Sequence, residues 1–287
     1  MKKIIIFLIM IFAWAGTRPA PTYVFAATVG GEVDMTTPET SFFSKTRAVG
    51  EALDFYESEV SMKAGFGVEF ISSKKLHTSS EVTSAEIEGQ NLDFKFSANY
   101  KGAIEPYVKI GTSNLRVKWS QNSQNIVVEA QPGLVLGGGL KAKLWEFPVT
   151  GIKLTLDGQY KDTQLDFDKA KIDGSTSAAA ATSETFEIRE WQISLIASKK
   201  IIFPMGMQDC YAVPYIGLTY LDSDVNVHFT QSGTGILYST YNASSKEPAG
   251  IVMGFDVMPS LLNCYLLSFE LRLINETAFS ISGTMKF

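Results

Sequence analysis

Long runs of alternating apolar and polar residues constrain this chain more than any other feature of its sequence. In the segment 91–101, NLDFKFSANYK, single polar residues separate the apolar residues Leu92, Phe94 and Phe96. Successive side chains of a β-strand point to opposite faces of the sheet, so a period of two predicts a strand with one apolar face. The sequence therefore predicts an all-β fold. Comparable alternation occurs in the segments 57–71, 126–144 and 150–161.

Ten segments are predicted as strands, although eight to twelve strands would be compatible with the chain. Most connections alternate between a short turn and a longer polar stretch. Residues that pair across an antiparallel turn share a face of the sheet, and Tyr100 and Ile104 on either side of Gly102 meet this condition. Consecutive strands are therefore predicted to run up and down. The predicted strands are 57–71, 91–101, 103–112, 126–144, 150–161, 187–199, 210–221, 249–258, 264–274 and 277–287.

The apolar face could point inward, as in a soluble β-sandwich, or outward into lipid, as in a membrane barrel. Runs of about 10–12 residues fit a tilted membrane strand, whereas strands of soluble proteins average about 5–6 residues. Aromatic residues are concentrated near both ends of the predicted strands, as at two membrane interfaces. We therefore predict a closed antiparallel up-and-down transmembrane β-barrel of about ten strands, with short turns in the periplasm.

Two residue sets follow from this prediction. The first is a pair of aromatic girdles, with Tyr56, Tyr100, Trp145, Phe147, Phe203, Tyr211, Tyr265 and Phe287 at the short-turn end and Phe70, Trp119, Tyr160, Trp191 and Tyr220 at the long-loop end. The second is a charge network inside the lumen, where opposite charges can pair. It comprises Lys63, Glu69, Asp93, Lys95, Glu105, Lys109, Lys141, Lys143, Lys153, Asp157, Glu190, Asp256, Glu270 and Arg272.

The first residues have the form of an export signal. Lys2 and Lys3 precede an apolar run of about 13 residues, which is too short for a transmembrane helix of about 20. Cleavage after Ala26 or Ala27 is predicted, and an uncleaved anchor is the alternative. The predicted organisation is a signal peptide at 1–27, a segment at 28–55 and an outer-membrane barrel at 56–287. The segment 28–55 could lie at the periplasmic rim, plug the lumen or remain a disordered leader.

The final strand, 277–287, combines alternation with an aromatic last residue. Its apolar face comprises Phe279, Ile281, Met285 and Phe287. This strand resembles the C-terminal strand of bacterial outer-membrane β-barrels. The resemblance implies that it closes the barrel against the first strand, that the barrel-assembly machinery reads it, and that the protein contacts outer-membrane lipid. Ser282 stands where that family has glycine, and Gly283 follows it.

Composition excludes some functions. A formal net charge of −5 is too weak to suggest a nucleic-acid partner, and the sequence contains no cofactor or metal motif. An enzyme that depends on histidine would have to use His77 or His228, the two histidines of the chain. Outer-membrane proteases of the omptin type and barrel lipid hydrolases both use histidine, but neither neighbourhood matches their motifs, so no enzyme is predicted. The residues considered were Asp222, Asp224 and His228 for the first class and His77, Ser79, Ser80 and Glu81 for the second.

The predicted strand number limits the function. About eight strands leave an interior that side chains just fill, so ten strands allow at most a narrow pore. We predict a structural or surface-interaction role through long extracellular loops, with an unknown extracellular ligand. A narrow porin-like channel is the alternative, and an outer-membrane hydrolase a distant one. Cys210 and Cys264 begin two strands at the short-turn end, where an oxidising compartment favours a disulfide but a spacing of two strands opposes it.

Overall fold

The computed structural model describes residues 60–78, 82–121, 123–179, 185–205, 208–228, 241–258 and 265–286. In these segments no helix is long and apolar enough to cross a membrane. Fourteen strands are present, namely β1 (Val60–His77), β2 (Val82–Tyr100), β3 (Ile104–Gln121), β4 (Gln124–Ala130), β5 (Gly133–Phe147), β6 (Ile152–Ile172), β7 (Ser175–Ala179), β8 (Thr185–Lys199), β9 (Ile201–Met205), β10 (Gln208–His228), β11 (Tyr241–Ser245), β12 (Ala249–Met258), β13 (Tyr265–Leu273) and β14 (Glu276–Lys286).

Ten antiparallel strands form a closed hydrogen-bonded ring. Its order is β1, β2, β3, β5, β6, β8, β10, β12, β13 and β14, and β14 pairs back onto β1 from Lys286 opposite Lys63 to Glu276 opposite Lys74. The strand β4 continues the line of β5 toward the long-loop end of the barrel, a direction that we call upward. A break at Pro132, whose ring removes a backbone donor, separates the two strands. The predicted all-β fold, the closed antiparallel barrel of ten strands and the pairing of its first and last strands are all confirmed.

Several strands are much longer than the sequence predicted. β2 and β3 contain 19 and 18 residues, and β6 and β10 contain 21 each. The stretches 72–77, 82–90, 113–121, 162–172 and 222–228, which we had assigned to long polar loops, are strand, so that prediction was wrong. β1 and β2 are joined by 78–81, and β3 and β4 by 122–123. Among the described residues, the long-loop end of the barrel is therefore mostly sheet.

The strand extensions form a second, smaller ring above the first. β1, β2, β3, β4, β6, β8 and β10 continue upward, whereas β12, β13 and β14 end lower. In the upper part, the short strand β11 takes the place of β12, β13 and β14 between β10 and β1. Its Ser244 lies opposite Asp224 of β10 and opposite His77 of β1. Among the described strands this makes a closed upper ring of eight, which we call the upper barrel.

The outward face of the ten-stranded part is an apolar belt. In β2 it extends from Leu92 to Tyr100, nine residues, which is about the length that a tilted strand needs to cross a bilayer. Its exposed residues include Phe66, Phe94, Phe96, Val108, Ile110, Leu134, Leu136, Leu140, Ile193, Leu195, Ile216, Leu218, Phe255 and Leu267.

An aromatic girdle borders the belt on the long-loop side. Tyr160 is opposite Trp191, and the rings of Trp191 and Tyr220 lie 5.3 Å apart. Two predicted members are misassigned. Trp119 is buried inside the upper barrel, and Tyr211 packs inward against Met258 and Leu266. Tyr56 and Phe287 lie outside the described residues.

Candidate functional site

The interior of the barrel is divided into two parts of opposite polarity. In β3 the inward residues Glu105, Tyr107 and Lys109 are followed by inward Leu115 and Val117. All lie on the same face of one strand, so the lumen changes from polar to apolar as it rises. We call the apolar part the upper core. It comprises Ile71, Leu76, Ala85, Ile87, Leu115, Val117, Trp119, Ile126, Val128, Ala130, Leu165, Phe167, Ala170, Phe186, Ile188, Val225, Ala243 and Ala278.

A buried cluster of charges lies directly beneath the upper core. The carboxylate of Glu190 accepts hydrogen bonds from the ammonium groups of Lys74 and Lys161. Lys74 also donates to Ser223 Oγ at 2.6 Å. Removing water from three charges is costly unless they compensate one another, and here one carboxylate is held between two cations. The sequence analysis missed Lys74 because it lies in a stretch that we had assigned to a loop, and it left out Lys161, the last residue of the predicted strand 150–161.

A second buried cluster surrounds Arg272 on β13. Its guanidinium contacts the carboxylate of Glu69 on β1, and Nε lies 3.6 Å from Glu270 Oε1 and 3.3 Å from Glu276 Oε1. Glu276 begins β14 and had not been predicted as a lumen residue. Because these four groups come from β1, β13 and β14, they join the last strands to the first at the point where the ring closes.

Two tyrosines fill the polar lumen by the same geometry. Tyr107 Oη donates to Asp157 Oδ1 at 2.9 Å, and Tyr215 Oη donates to Glu270 Oε2 at 2.9 Å. Each ring crosses a glycine on the strand in between, Gly139 in the first case and Gly254 in the second. These residues lie on different sides of the ring, so bulky side chains cross the lumen from two directions.

The fourteen residues predicted as a lumen charge network all lie on the inner face of their strands by the alternation of burial. Lys63 donates to Glu105 Oε2 at 2.6 Å, and Lys95 Nζ lies 3.7 Å from Glu105 Oε1. Lys109 donates to Gln159 Oε1 at 3.3 Å. The half-buried members are Asp93, Lys95, Lys143 and Lys153, and the fully buried members are Lys63, Glu69, Glu105, Lys109, Lys141, Asp157, Glu190, Asp256, Glu270 and Arg272.

The outer face of the upper barrel is polar and carries ion pairs. Arg116 on β3 forms an ion pair with Glu88 on β2. Lys169 on β6 forms another with Glu129 on β4, where Nζ lies 3.0 Å from Oε2. Lys171 also donates to Glu129 at 2.5 Å. Partial desolvation would raise the pKa of Glu129, but hydrogen bonds from Lys171 and Lys169 outweigh it and lower that pKa. This surface is therefore suited to water, in contrast to the belt below it.

A cavity of about 490 Å³ opens on the outside of the upper barrel, lined by His77, Thr78, Arg189, Asp224, Asn226, Ala243 and Ser244. Across the strands the order is His77, Ser244, Asp224 and Arg189. In a serine hydrolase the histidine lies between the serine and the acid, whereas here Ser244 lies between His77 and Asp224. The described residues contain no cluster of three metal-ligating side chains.

The structure describes the other residues considered for catalysis only in part. Asp222 and Asp224 lie on the outer face of β10, and the backbone of His228 pairs with Thr185. Ser79, Ser80 and Glu81 lie outside the described residues. Cys210 is buried at the start of β10. Cys264 lies outside the described residues, so the structure does not test whether the two cysteines are bridged. In the closing strand, Phe279 is opposite Phe70, Ile281 opposite Val68, and Met285 opposite Ala64.

No protein-family model matches this chain, and no curated protein matches it. Similar solved structures include a protease and two autotransporter units. The outer-membrane protease OmpT from Escherichia coli is 9% identical, with 79% of this chain and 93% of that chain covered and a TM-score of 0.39. The translocator domain of the autotransporter NalP from Neisseria meningitidis is 12% identical, with 85% and 93% covered and a TM-score of 0.36. The transport unit of the autotransporter AIDA-I from Escherichia coli is 10% identical, with 84% and 93% covered and a TM-score of 0.34. Likeness at this level assigns no activity.

The ring and the belt define the class of the protein on their own. Backbone polar groups in lipid must be paired within the protein, and a closed ring of strands leaves no edge unpaired. Outer-membrane barrels have an apolar outer face around a polar interior, with an aromatic girdle where the membrane meets water. The ten-stranded part has this arrangement. The protein is an integral β-barrel of the bacterial outer membrane.

Proposed function

We propose that the protein is a non-conducting outer-membrane barrel that holds the upper barrel at the cell surface in a structural or surface-interaction role. The observation that supports this proposal most strongly is the upper core. Any ion that left the polar lumen upward would have to cross a closed ring of eight strands filled with buried apolar side chains. Eight strands are the size at which side chains just fill a barrel.

The orientation follows from the ends of the ring. β1 begins and β14 ends at the same end as the turn at 101–103. Short turns lie on the periplasmic side of outer-membrane barrels, so the upper barrel would face the environment. The surface available to a partner is then the polar outside of the upper barrel with its cavity at His77 and Asp224. We propose that the barrel-assembly machinery reads β14 during insertion.

The two alternative functions receive less support. A narrow porin-like channel would need a continuous polar path, and Lys74, Glu190 and Lys161 are followed upward by the upper core. A hydrolase would need a histidine between its nucleophile and its acid, and the row across β1, β11 and β10 has Ser244 in that place. We therefore propose no catalytic activity.

The proposal is tested by accessibility in whole cells. Ser120 lies on the outer face of the upper barrel, and Thr150 lies in the short turn between β5 and β6. In a Cys210→Ala/Cys264→Ala background, Ser120→Cys should react with a membrane-impermeant thiol reagent on intact cells, and Thr150→Cys only after the outer membrane is opened. Labelling of Thr150→Cys on intact cells, or recovery of the protein as a soluble periplasmic species, would contradict the proposal.

A further inference from the structure

The cavity on the outside of the upper barrel lies at β11, the strand that takes the place of β12, β13 and β14. Its polar side chains come from direct neighbours across the strands. His77 is opposite Ser244, and Ser244 is opposite Asp224. Asp224 is in turn opposite Arg189, and Asn226 follows it on the same outer face of β10. We call these five residues the outer cleft.

The outer cleft differs from the rest of the outer face in how its charges are arranged. Arg116 and Glu88 are direct cross-strand partners and form an ion pair. Asp224 and Arg189 are also cross-strand partners, and opposite charges in this position usually attract each other. Arg189 nevertheless turns to its own strand and donates to Glu187 at 2.7 Å. The carboxylate of Asp224 therefore points into the cleft without the arginine that lies opposite it.

The other polar groups of the outer cleft are also available to a ligand. Within the described part of the chain, the side chains of His77, Ser244, Asp224 and Asn226 form no hydrogen bond or ion pair with the protein. A hydroxyl, an amide and a neutral imidazole each donate and accept, and a carboxylate accepts. These groups surround a cavity of about 490 Å³, which is within the range of about 300–1,000 Å³ of small-molecule sites.

Charge and polarity restrict what the outer cleft can bind. An anion would meet the carboxylates of Asp224 and Glu187, and Arg189 is already held by Glu187. An apolar ligand would meet mainly polar groups, because the side chain of Ala243 belongs to the upper core. The described residues contain no cluster of three metal-ligating side chains. A neutral ligand with several hydroxyl groups fits, because each hydroxyl both donates and accepts.

A peptide partner is less favoured at this place. Extended peptides bind to sheets by pairing with a free edge strand. The strand β11 has no free edge beside the cleft, since it pairs with β1 on one side and with β10 on the other. A peptide would have to bind through its side chains alone.

The outer cleft lies beyond the apolar belt. Tyr220 of the aromatic girdle and Asp224 are on the same face of β10, and their separation is about 13 Å along the strand at 3.3 Å per residue. In the orientation of the proposed function, the cleft therefore opens into water just outside the outer leaflet. Sugar chains of the cell surface are within reach of this position.

We propose that the outer cleft binds a neutral sugar unit of a glycan, with Asp224 accepting hydrogen bonds from sugar hydroxyls and Asn226 and Ser244 donating to them. The proposal rests on the proposed function, because that function turns the cleft toward the environment. Two sources present the same hydroxyl groups, namely a glycolipid of the surrounding membrane and a free glycan from outside the cell.

Calorimetric titration of the purified full-length mature protein in detergent micelles tests the proposal with two sets of probes. The first is the oligosaccharide released by mild acid from the outer-membrane glycolipid of the bacterium that carries the protein. The second consists of glucose, galactose, mannose, N-acetylglucosamine, lactose and maltose. At least one probe should bind with a dissociation constant of about 1 mM or lower.

A matched pair of variants locates the binding. Asp224→Ala/Asn226→Ala removes an acid and an amide from the cleft and should weaken binding roughly tenfold or more, because several hydrogen bonds to the sugar are lost. Gln164→Ala/Asp166→Ala removes the same two kinds of group from exposed positions on the outer face of β6 and should bind as the wild type does. The mobility difference between unheated and boiled samples checks that each variant is folded.

Each outcome of the titration decides one question. Binding of the glycolipid oligosaccharide alone supports the proposal and assigns the sugar to the surrounding membrane, whereas binding of the second set supports it and assigns the sugar to a free glycan. The proposal is overturned if no probe binds, if capped neutral tripeptides bind in place of every sugar, or if folded Asp224→Ala/Asn226→Ala binds as well as the wild type. Absence of sugar binding together with labelling of Ser120→Cys on intact cells would overturn this inference and leave the proposed function standing.

Discussion

Tyr107 lies directly across Gly139, and its hydroxyl reaches a carboxylate one strand further on. A Cβ placed on Gly139 would be 2.4 Å from Tyr107 Oη and 2.5 Å from Gly158 O. The absence of a side chain at position 139 therefore allows the hydrogen bond of 2.9 Å from Tyr107 Oη to Asp157. Tyr215 has the same relationship with Gly254, where a Cβ would be 2.5 Å from its Oη and 2.3 Å from Phe269 O.

Substitution of these glycines should destabilise the barrel. Gly139→Ala and Gly254→Ala each insert a methyl group where backbone and a tyrosine ring already lie, and overpacking of this kind costs about 1–3 kcal/mol. Gly158→Ala is the matched control, because its Cβ would meet no atom within 4 Å. Denaturant unfolding in lipid vesicles measures the three changes. Equal stability of Gly139→Ala and Gly158→Ala would show that the tyrosine does not occupy this position.

The buried cluster around Glu190 should contribute much more than a surface cluster of the same composition. Glu190 and Glu129 each lie between two lysines, but their side chains are 9% and 25% exposed. Glu190→Gln leaves Lys74 and Lys161 buried without a counter-charge, which costs about 3–5 kcal/mol. Glu129→Gln should cost less than about 1 kcal/mol. Similar values for the two variants in the same unfolding experiment would contradict the burial of this cluster.

The surface cluster should also give a weak dependence of stability on pH. The pKa of Glu129 is lowered in the folded protein by Lys171 and Lys169 despite some desolvation. A lowered folded pKa means that the contribution is fully present above the unfolded value, about 4.3, and is lost as pH falls through the folded pKa. The difference in unfolding free energy between wild type and Glu129→Gln should therefore shrink from pH 7 to about pH 3. A difference that grows on acidification would have the wrong sign.

The inversion of polarity along β3 predicts a pattern of thiol reactivity. Single cysteines are placed at Ile110, Val117 and Lys118 in a Cys210→Ala/Cys264→Ala background. Ile110→Cys faces lipid and should react with an apolar reagent, whereas Lys118→Cys faces water and should react with a charged one. Val117→Cys is buried in the upper core and should react with neither. Reaction of Val117→Cys with the charged reagent would mean that the lumen is open to water at this height.

The alternation of apolar and polar residues predicted the strands of the ring. Side chains of a β-strand alternate between its two faces whether lipid, water or protein covers each face. The pairing of Tyr100 with Ile104 followed from the same rule. The pairing of β14 with β1 was implied by the resemblance of the last strand to the C-terminal strand of outer-membrane barrels. The upper barrel was missed for a related reason. From Ile104 to Ile110 the apolar residues of β3 occupy even positions, and from Leu115 to Trp119 they occupy odd positions.

The predicted strand 103–112 ended before this change of phase, which the sequence analysis did not notice. In the structure β3 continues without interruption, and the change marks the point where water replaces lipid outside and apolar side chains replace charges inside. Apolar residues that move from even to odd positions with no turn residue between them are the signal that would have revealed the upper barrel. The role of β11 has no such signal. Its five residues, YNASS, pair with β1 and β10 only because three lower strands leave a gap there.

Electrical recording from single molecules in planar bilayers tests the central claim most directly. The account predicts that the purified full-length mature protein, inserted with its short-turn end toward either chamber, produces no stable conductance steps, because the upper core closes the ring of eight strands. A variant lacking residues 28–59 should be equally silent, since it retains the upper core. Stable steps of nanosiemens size from the wild-type protein would contradict the account and show that a continuous water-filled path crosses the barrel.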